Sequence, residues 1–397
     1  MRSIDPQRAR RLRDRYAIVG IGQSKIGKVP GSSALSLLVD AMANAVEDAG
    51  LRKEDVDGIV CRGPDEVYTH HQRVGQLLGI DAEFSTTVDN GGASQILSVI
   101  LAVMAIDAGL CDVVVCGYGR DSWSRTHRSE EKREAVSLVP EEQTASEFGP
   151  EFGLFGATAQ HAFGARRHMA RYGTTQEQLG AVALAFREHA QRNPEAYLRE
   201  PLTMEQYLGA RRIVEPFGLF DCSVPVDAAG AAVVTSMERA RSLRHRPAAI
   251  RGFGTFNNLR GWAADEHMTT TAAKRSGEKA YAMAGLGPKD VGTAQLYDCF
   301  TYMAMVQLED YGFCAKGEGG PFAASGALRP GGALPTNTSG GQLSEGHCEG
   351  MLQILEGVRQ VRGDLPPERQ ARRADVALVS GHGGHTVCHS SLILARA

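Results

Sequence analysis

An eight-residue block occurs twice in this 397-residue chain, and each copy stands between the same two kinds of element. The first copy, AGLRKEDV, runs from Ala49 to Val56; the second, AGLGPKDV, runs from Ala284 to Val291. Before the first copy, Leu35, Leu38, Val39, Ala41, Met42, Ala45 and Val46 recur at helical spacing over Ala34–Ala49, and Gly50 is placed to end that helix. After it, Gly58–Arg62 reads as a strand. The second copy follows a predicted helix at about Ala272–Ala284 and precedes a predicted strand at Ala294–Tyr297. A further pair keeps the same order: Asn90-Gly91-Gly92, a helix and CDVVVCG at 111–117 parallel Ser339-Gly340-Gly341, a helix and ADVALVSG at 374–381. Units that repeat in order stack on one another to bury a shared core. The chain is therefore expected to fold as two related α/β halves, and its length suits one duplicated body at roughly 150 residues per unit.

The first strand is expected at Tyr16–Gly22, after an arginine-rich arm at 1–15 that lacks an apolar leader core. Between the halves lies a segment of different character, whose most regular parts are two helices at about Ala157–Arg171 and Thr175–Gln191. The division expected is an arm at 1–15, one half from 16–119 and 221–245, an inserted and mostly helical loop domain at 120–220, and the other half at 246–397. An excursion of this kind usually covers the ligand site of the body it leaves.

Forty-three basic and 46 acidic residues leave a net charge of −3, so no strong field is available to hold nucleic acid or an anionic membrane. The most apolar stretch, Leu97–Ala105, is closed by Asp107 and is too short to cross a bilayer; it reads as a buried helix. Eight cysteines without a CxxC pair fit a reduced, cytoplasmic protein. Glycine is in surplus at 46 residues, against the usual ~7%.

Several stretches, in order, resemble the thiolase superfamily, nearest its sterol-carrier and lipid-transfer branch. Beyond the joint at 49–56 they are NGGAS at 90–94, MARYGTTQEQL at 169–179, REHAQRNPEA at 187–196, IVEPFGLFDCSVPVDAAGAAVV at 213–234, YDCFT at 297–301, SGGQLSEGHCEG at 339–350 and SGHGGHTVCHSSLIL at 380–394. The resemblance spans nearly the whole chain. It implies an α/β thiolase fold, with two duplicated βαβ halves in a five-layered α-β-α-β-α arrangement and an inserted loop domain.

In that family a nucleophilic cysteine opens a helix after an Asn-rich loop, where backbone donors receive the thioester oxygen. Here Gly92, or alternatively Gly91, falls at that place, and no cysteine lies between Cys61 and Cys111. Taken alone, Asn90-Gly91-Gly92 is an ordinary turn into a helix. In the family pattern, its backbone donors would still cradle an acyl-CoA carbonyl. Ser94 lies two positions further into the helix, with no partner base implied. Tyr297 stands at the family's second catalytic block. A tyrosine there could be a core aromatic with a satisfied hydroxyl, but the resemblance makes it a catalytic phenol that needs activation from its usual pKa near 10. Ser344-Glu345-Gly346-His347 matches the family's GH motif, whose histidine binds the oxyanion or moves a proton; Cys348 beside it is a weak candidate. The last loop, Ser380–His385, lacks the second cysteine of condensing thiolases, and Cys388 comes too late to replace it. Gly383 and one of His382 and His385, either of which could face the pocket, are expected to meet substrate there. His382, His385, Cys388 and His389 also offer metal ligands, but without the two-part spacing of zinc sites, and GIGQSKIG at 20–27 lacks the full dinucleotide fingerprint. No metal and no cofactor are expected, coenzyme A entering only as part of the substrate.

Loss of both cysteines together with GG and YDCF is similar to the aldolases of steroid side-chain degradation. This implies a carbon–carbon lyase that cleaves a β-hydroxyacyl-CoA by retro-aldol reaction, a 17-hydroxy steroid C22-CoA giving a 17-ketosteroid and propionyl-CoA. It also implies a homodimer associated with a DUF35-type OB-fold protein or a hydratase subunit. His347 departs from those aldolases, which carry a second tyrosine at its place. The alternatives are a non-catalytic acyl-CoA or lipid-binding subunit, and a thiolase or acetyl-CoA acyltransferase.

Overall fold

The computed structural model describes residues 9–63, 69–127, 156–258, 268–384 and 387–397. His385 and much of the expected arm lie outside them. The strands are β1 (Tyr16–Gln23), β2 (Gly58–Arg62), β3 (Phe84–Thr87), β4 (Val113–Asp121), a small separate pair β5 (Arg212–Val214) and β6 (Phe217–Gly218), then β7 (Asp227–Ser236), β8 (Ala248–Asn257), β9 (Thr293–Gln295), β10 (Val376–Gly383) and β11 (Cys388–Arg396). Nine of them form one sheet in the order β3-β2-β4-β7-β1-β8-β11-β10-β9.

That order is nearly palindromic, and the strand senses repeat with it. In the first half β2 runs parallel to β4, β4 antiparallel to β7 and β7 antiparallel to β1. In the second, β9 runs parallel to β10, β10 antiparallel to β11 and β11 antiparallel to β8. A parallel bridge from Ala294 to Thr336 marks where the counterpart of β3 falls. The halves join through two residue pairs, Ala17–Ala249 and Ile18–Ala248.

The helices complete the layers. Helix α1 (Ala34–Asp48) is capped by Ser33, whose hydroxyl accepts the Ser36 amide, and it lays Leu37, Leu38, Ala41 and Met42 over β1, β4 and β7. Its counterpart α2 (Ala273–Ala284) covers β8 and β11. Between the two parts of the sheet lie α3 (Ser94–Asp107) and α4 (Met351–Arg362), each touching strands of both halves. Both are buried on most sides, as a central layer requires: Ile96, Val99 and Ile100 of α3 share a core with Val234, Ile354 and Leu392. The result is the expected α-β-α-β-α stack.

Close approach of strand to helix recurs in both halves. A Cβ on Gly20 would fall 2.2 Å from the Ala45 carbonyl oxygen, and one on Gly252 would fall 2.4 Å from that of Ala280. The GIG at 20–22 thus serves packing against α1, and GFG at 252–254 is its copy.

The inserted segment supplies α5 (Gly156–Tyr172) and α6 (Gln176–Gln191), within a residue or so of the expected limits. Thr175 caps α6 by accepting the Gln178 amide. This helix packs on α7 (Thr301–Asp310) and on the short helix Gly341–Ser344, so the insert rests on the second half. On α6, His189 is buried with Nε2 donating to the Leu328 carbonyl at 2.9 Å. Burial brings its pKa down from 6.5 to about 4. The unfolded chain therefore takes up a proton that the fold refuses, and the stability held in this way is complete above pH 6.5 and lost as pH falls toward 4. His189→Gln, whose amide can donate to the same carbonyl, is expected to gain about 2 kcal/mol over wild type between pH 6.5 and 5. Urea unfolding at the two pH values reads this directly, and a pH-independent difference would refute it.

One expected strand is shorter than predicted. The segment 294–297 leaves the ladder after Gln295, because the Leu296 amide donates to Asn337 Oδ1 at 2.6 Å and the Tyr297 amide to Ser380 Oγ at 2.8 Å. Tyr297 is thereby carried off the strand end. No helix among the described residues is long and apolar enough to cross a membrane.

Candidate active site

The parallel strands β2, β4, β9 and β10 end on one side of the molecule, the place where open α/β sheets bind ligands. A cavity of about 690 Å³ lies there, lined by Arg62 and Arg120 at the ends of β2 and β4, Gly92 ahead of α3, Tyr297 and Cys299 beyond β9, and His382 and Gly383 at the end of β10. His347, Glu349, Ser223 and His161 also line it. Sequence reasoning named Gly92, Tyr297, His347, His382 and Gly383, and the fold brings these five together.

Tyr297 is fixed through its backbone. Its carbonyl accepts Gln307 Nε2 at 2.7 Å, and Ser380 Oγ, which accepts its amide, donates to Gln307 Oε1 at 2.5 Å. The ring meets His347 edge to face at 6.2 Å between centroids and His382 at 5.7 Å. No described residue hydrogen-bonds its hydroxyl. A Cβ on Gly92 would lie 2.2 Å from that oxygen. The phenol therefore fills the space a side chain at 92 would need, and glycine there is a condition of its placement. Burial, and then the charge of Glu349, hold the phenol well above its ordinary pKa.

His347 is held by its amide donating to Val224 O at 3.1 Å and by Nδ1 against Ser223 Oγ at 2.7 Å. Burial, and then the cations of Arg120 and Arg62, push its pKa well below 6.5, so the imidazole is neutral. Both arginines pair with Glu349, Arg120 at 2.8 Å. Sequence reasoning missed Ser223, Arg62, Arg120 and Glu349. Glu349 stands inside the SEGHCEG stretch, two residues after His347, and Ser223 inside the matching stretch at 213–234, so these two had a visible signal.

Asp298 fixes the turn that carries His347. Its Oδ1 accepts the Gln342 amide at 2.9 Å and Gln353 Nε2 at 3.0 Å, while Oδ2 accepts the Leu343 amide at 3.2 Å. Burial raises its pKa to about 7. Because both oxygens accept, Asp298→Asn must set an amide N–H against a donor. It is expected to cost about 1–3 kcal/mol, seen in urea unfolding, and to lower turnover with it; an unchanged unfolding midpoint would contradict this.

The loop before α3 departs from the expectation in two respects. Asn90 and Gly91 are not among the residues that line the cavity. The Gly91 amide is already spent on Asp89 Oδ1 at 3.1 Å, so it is not a free oxyanion donor. What Asn90 and Gly91 do is receive the last loop: a Cβ on Gly383 would fall 2.1 Å from the Asn90 carbonyl oxygen. Ser94 is also spent, accepting the Asn90 amide and donating to Gly91 O, both at 2.6 Å, which agrees with its exclusion as a nucleophile. The thiols at the cavity are poor nucleophiles as well. Burial raises Cys222 to about 12 and Cys299 well above its ordinary value.

This stack and cavity define a thiolase-type body in which the Tyr297 phenol occupies the space that a side chain at position 92 would need. Residues 16–213 match the model of the thiolase N-terminal domain, and residues 254–396 that of the thiolase C-terminal domain-like family. The chain is 39% identical to a steroid side-chain-cleaving aldolase of Thermomonospora curvata, across 87% of this chain and 90% of the relative. It is 37% identical to a 17-hydroxy-3-oxo-4-pregnene-20-carboxyl-CoA lyase of Mycobacterium tuberculosis, across 89% and 92%. Among solved structures, an Ltp2–ChsH2(DUF35) aldolase superposes with a TM-score of 0.86 at 36% identity, covering 97% of this chain and 98% of that one. The chain belongs to the thiolase family.

Proposed function

We propose that this protein is a carbon–carbon lyase that cleaves a β-hydroxyacyl-CoA by retro-aldol reaction, its substrate a 17-hydroxy steroid C22-CoA and its products a 17-ketosteroid and propionyl-CoA. The observation that carries this reading is the Tyr297 hydroxyl standing where a side chain at position 92 would be. Acyl transfer through a thiol has no thiol there, whereas proton transfer has a phenol. The names of the two relatives support the substrate class, and the cavity is of the size that takes a drug-sized ligand, about 300–1,000 Å³.

Tyr297 stays protonated at rest, so it accepts the substrate's hydroxyl proton as it passes its own, through one intervening water, to neutral His347. The Cα–Cβ electrons move onto the thioester, forming the enolate, and the ketone leaves. The imidazolium so formed is a strong acid in this setting, and it returns its proton to the enolate carbon. No net proton is consumed and no covalent enzyme intermediate forms. The Gly92 region and His382 border the thioester oxygen. In this reading the working form is a cytoplasmic homodimer in complex with a DUF35/OB-fold protein, of which the DUF35 association alone is supported by the partnered structure the chain resembles; coenzyme A is carried by the substrate, and the cleavage itself draws on no other cofactor.

The test is chromatographic. Incubated with its DUF35 partner and a 17-hydroxy steroid C22-CoA, the protein is expected to release propionyl-CoA and the 17-ketosteroid in equal amounts. Saturable binding without either product would instead make it an acyl-CoA-binding subunit.

A further inference from the structure

His161, Cys299 and His382 reach the cavity from three different segments: α5 of the insert, the stretch between β9 and α7, and the end of β10. All three are buried, at 3%, 8% and 3% exposure. Their nitrogen and sulfur atoms lie within 4.8 Å of one another, and the two imidazoles face each other Nε2 to Nε2 at 3.0 Å. His161 Nδ1 contacts the Ala157 carbonyl oxygen at 2.7 Å. A carbonyl only accepts, so Nδ1 bears the proton and Nε2 carries the lone pair. This outer contact to a backbone carbonyl is the one metal-binding imidazoles habitually make, because it fixes both tautomer and ring direction.

We propose that His161 Nε2, His382 Nε2 and Cys299 Sγ bind one zinc-class divalent cation, with the fourth position open to the cavity. Two nitrogens and a sulfur suit a borderline-soft ion, and three protein ligands with one open place is the pattern of reactive rather than structural zinc. A tetrahedral ion draws such ligands to about 3.3 Å between nitrogens and about 3.6 Å from nitrogen to sulfur. The imidazoles already stand close to that spacing, and the thiol has to close the remainder. Asp298, beside Cys299, offers no hard oxygen, since its carboxylate is committed to Gln342, Leu343 and Gln353. On binding, Cys299 loses its thiol proton to solvent and the thiolate takes one coordination place, while His382, whose Nε2–H otherwise donates to the His161 lone pair, shifts its proton to Nδ1 to free Nε2 for the ion; nothing is oxidised or reduced. One ligand comes from α5, so the ion also ties the insert to the second half. The site was hidden in the sequence because its ligands are separated by 138 and 83 positions and share no motif.

His382 also borders the thioester oxygen in the proposed cleavage, so the readout is the metal and not turnover. Tag-free protein is stripped with a chelator and titrated with Co²⁺. The expected result is a near-ultraviolet thiolate-to-cobalt band that saturates at one ion per chain and is displaced by Zn²⁺. Cys299→Ala should bind without that band, and Cys299→Ser serves the same end if the alanine variant fails to fold. His161→Gln should weaken affinity by at least about tenfold. No saturable band in the wild type, or a band that persists without the Cys299 thiol, would overturn the site and leave a hydrogen-bonded histidine pair beside a thiol.

Discussion

Tyr297→Phe is expected to lower turnover of the β-hydroxyacyl-CoA by about 10²–10⁴-fold, the range a single positioned proton-transfer group supplies. The substitution removes one oxygen and keeps the ring, whose edge-on contacts with His347 and His382 persist. It breaks no hydrogen bond to a described residue, and the backbone anchors through Ser380 and Gln307 do not involve the hydroxyl. Affinity for a non-hydrolysable acyl-CoA, measured by calorimetry, and the urea midpoint should therefore stay near wild type while turnover falls. Turnover close to the wild-type rate would remove Tyr297 from the chemistry and move the proton transfers to the histidines.

Gly92→Cys tests the same geometry from the other side. It puts a thiol at the position that the resemblance to thiolases pairs with their nucleophile, and it is expected to give neither activity. The new Cβ would lie 2.2 Å from the Tyr297 hydroxyl and 2.4 Å from the His382 carbonyl oxygen, one of them backbone. Overpacking of this kind costs about 1–3 kcal/mol. The ring must leave its place, so retro-aldol turnover should drop at least as far as in Tyr297→Phe. Claisen activity should not appear, because the loop at 380–385 holds no second cysteine. Adding Tyr297→Ala should restore part of the lost stability, a non-additive pair that a double-mutant cycle can measure. If Gly92→Cys alone kept full stability and turnover, the phenol would not be standing in the vacated space.

The duplicated halves and the two insert helices were legible in the sequence, since each rests on periodicity and local punctuation that a linear reading preserves. The glycine pairs were half legible: GIG at 20–22 was weighed against a dinucleotide motif, while its copy GFG at 252–254 went unnoticed because only the packed helix behind it gives either pair a meaning. Tyr297 and His347 were placed by their motifs. Their protonation was not, because it is set by burial and by Arg62, Arg120 and Glu349, which are distant in sequence from Tyr297 or from one another. The spent Gly91 amide shows the same limit at shorter range. Whether a backbone donor is free depends on which way Asp89 turns, and no spacing rule records that.

The strand order has a consequence for how the chain is made. In the first half β7 lies between β4 and β1, and in the second β11 lies between β8 and β10; each of these inner strands follows both of its neighbours in sequence. During synthesis each half of the sheet thus waits with a gap flanked by two unpaired edges, and such edges are templates for joining the wrong chain. The gaps close only when 227–236 and then 388–396 emerge. Trimming the chain from Cys388 onward would therefore remove an inner strand and reopen that gap, in the half that carries Tyr297.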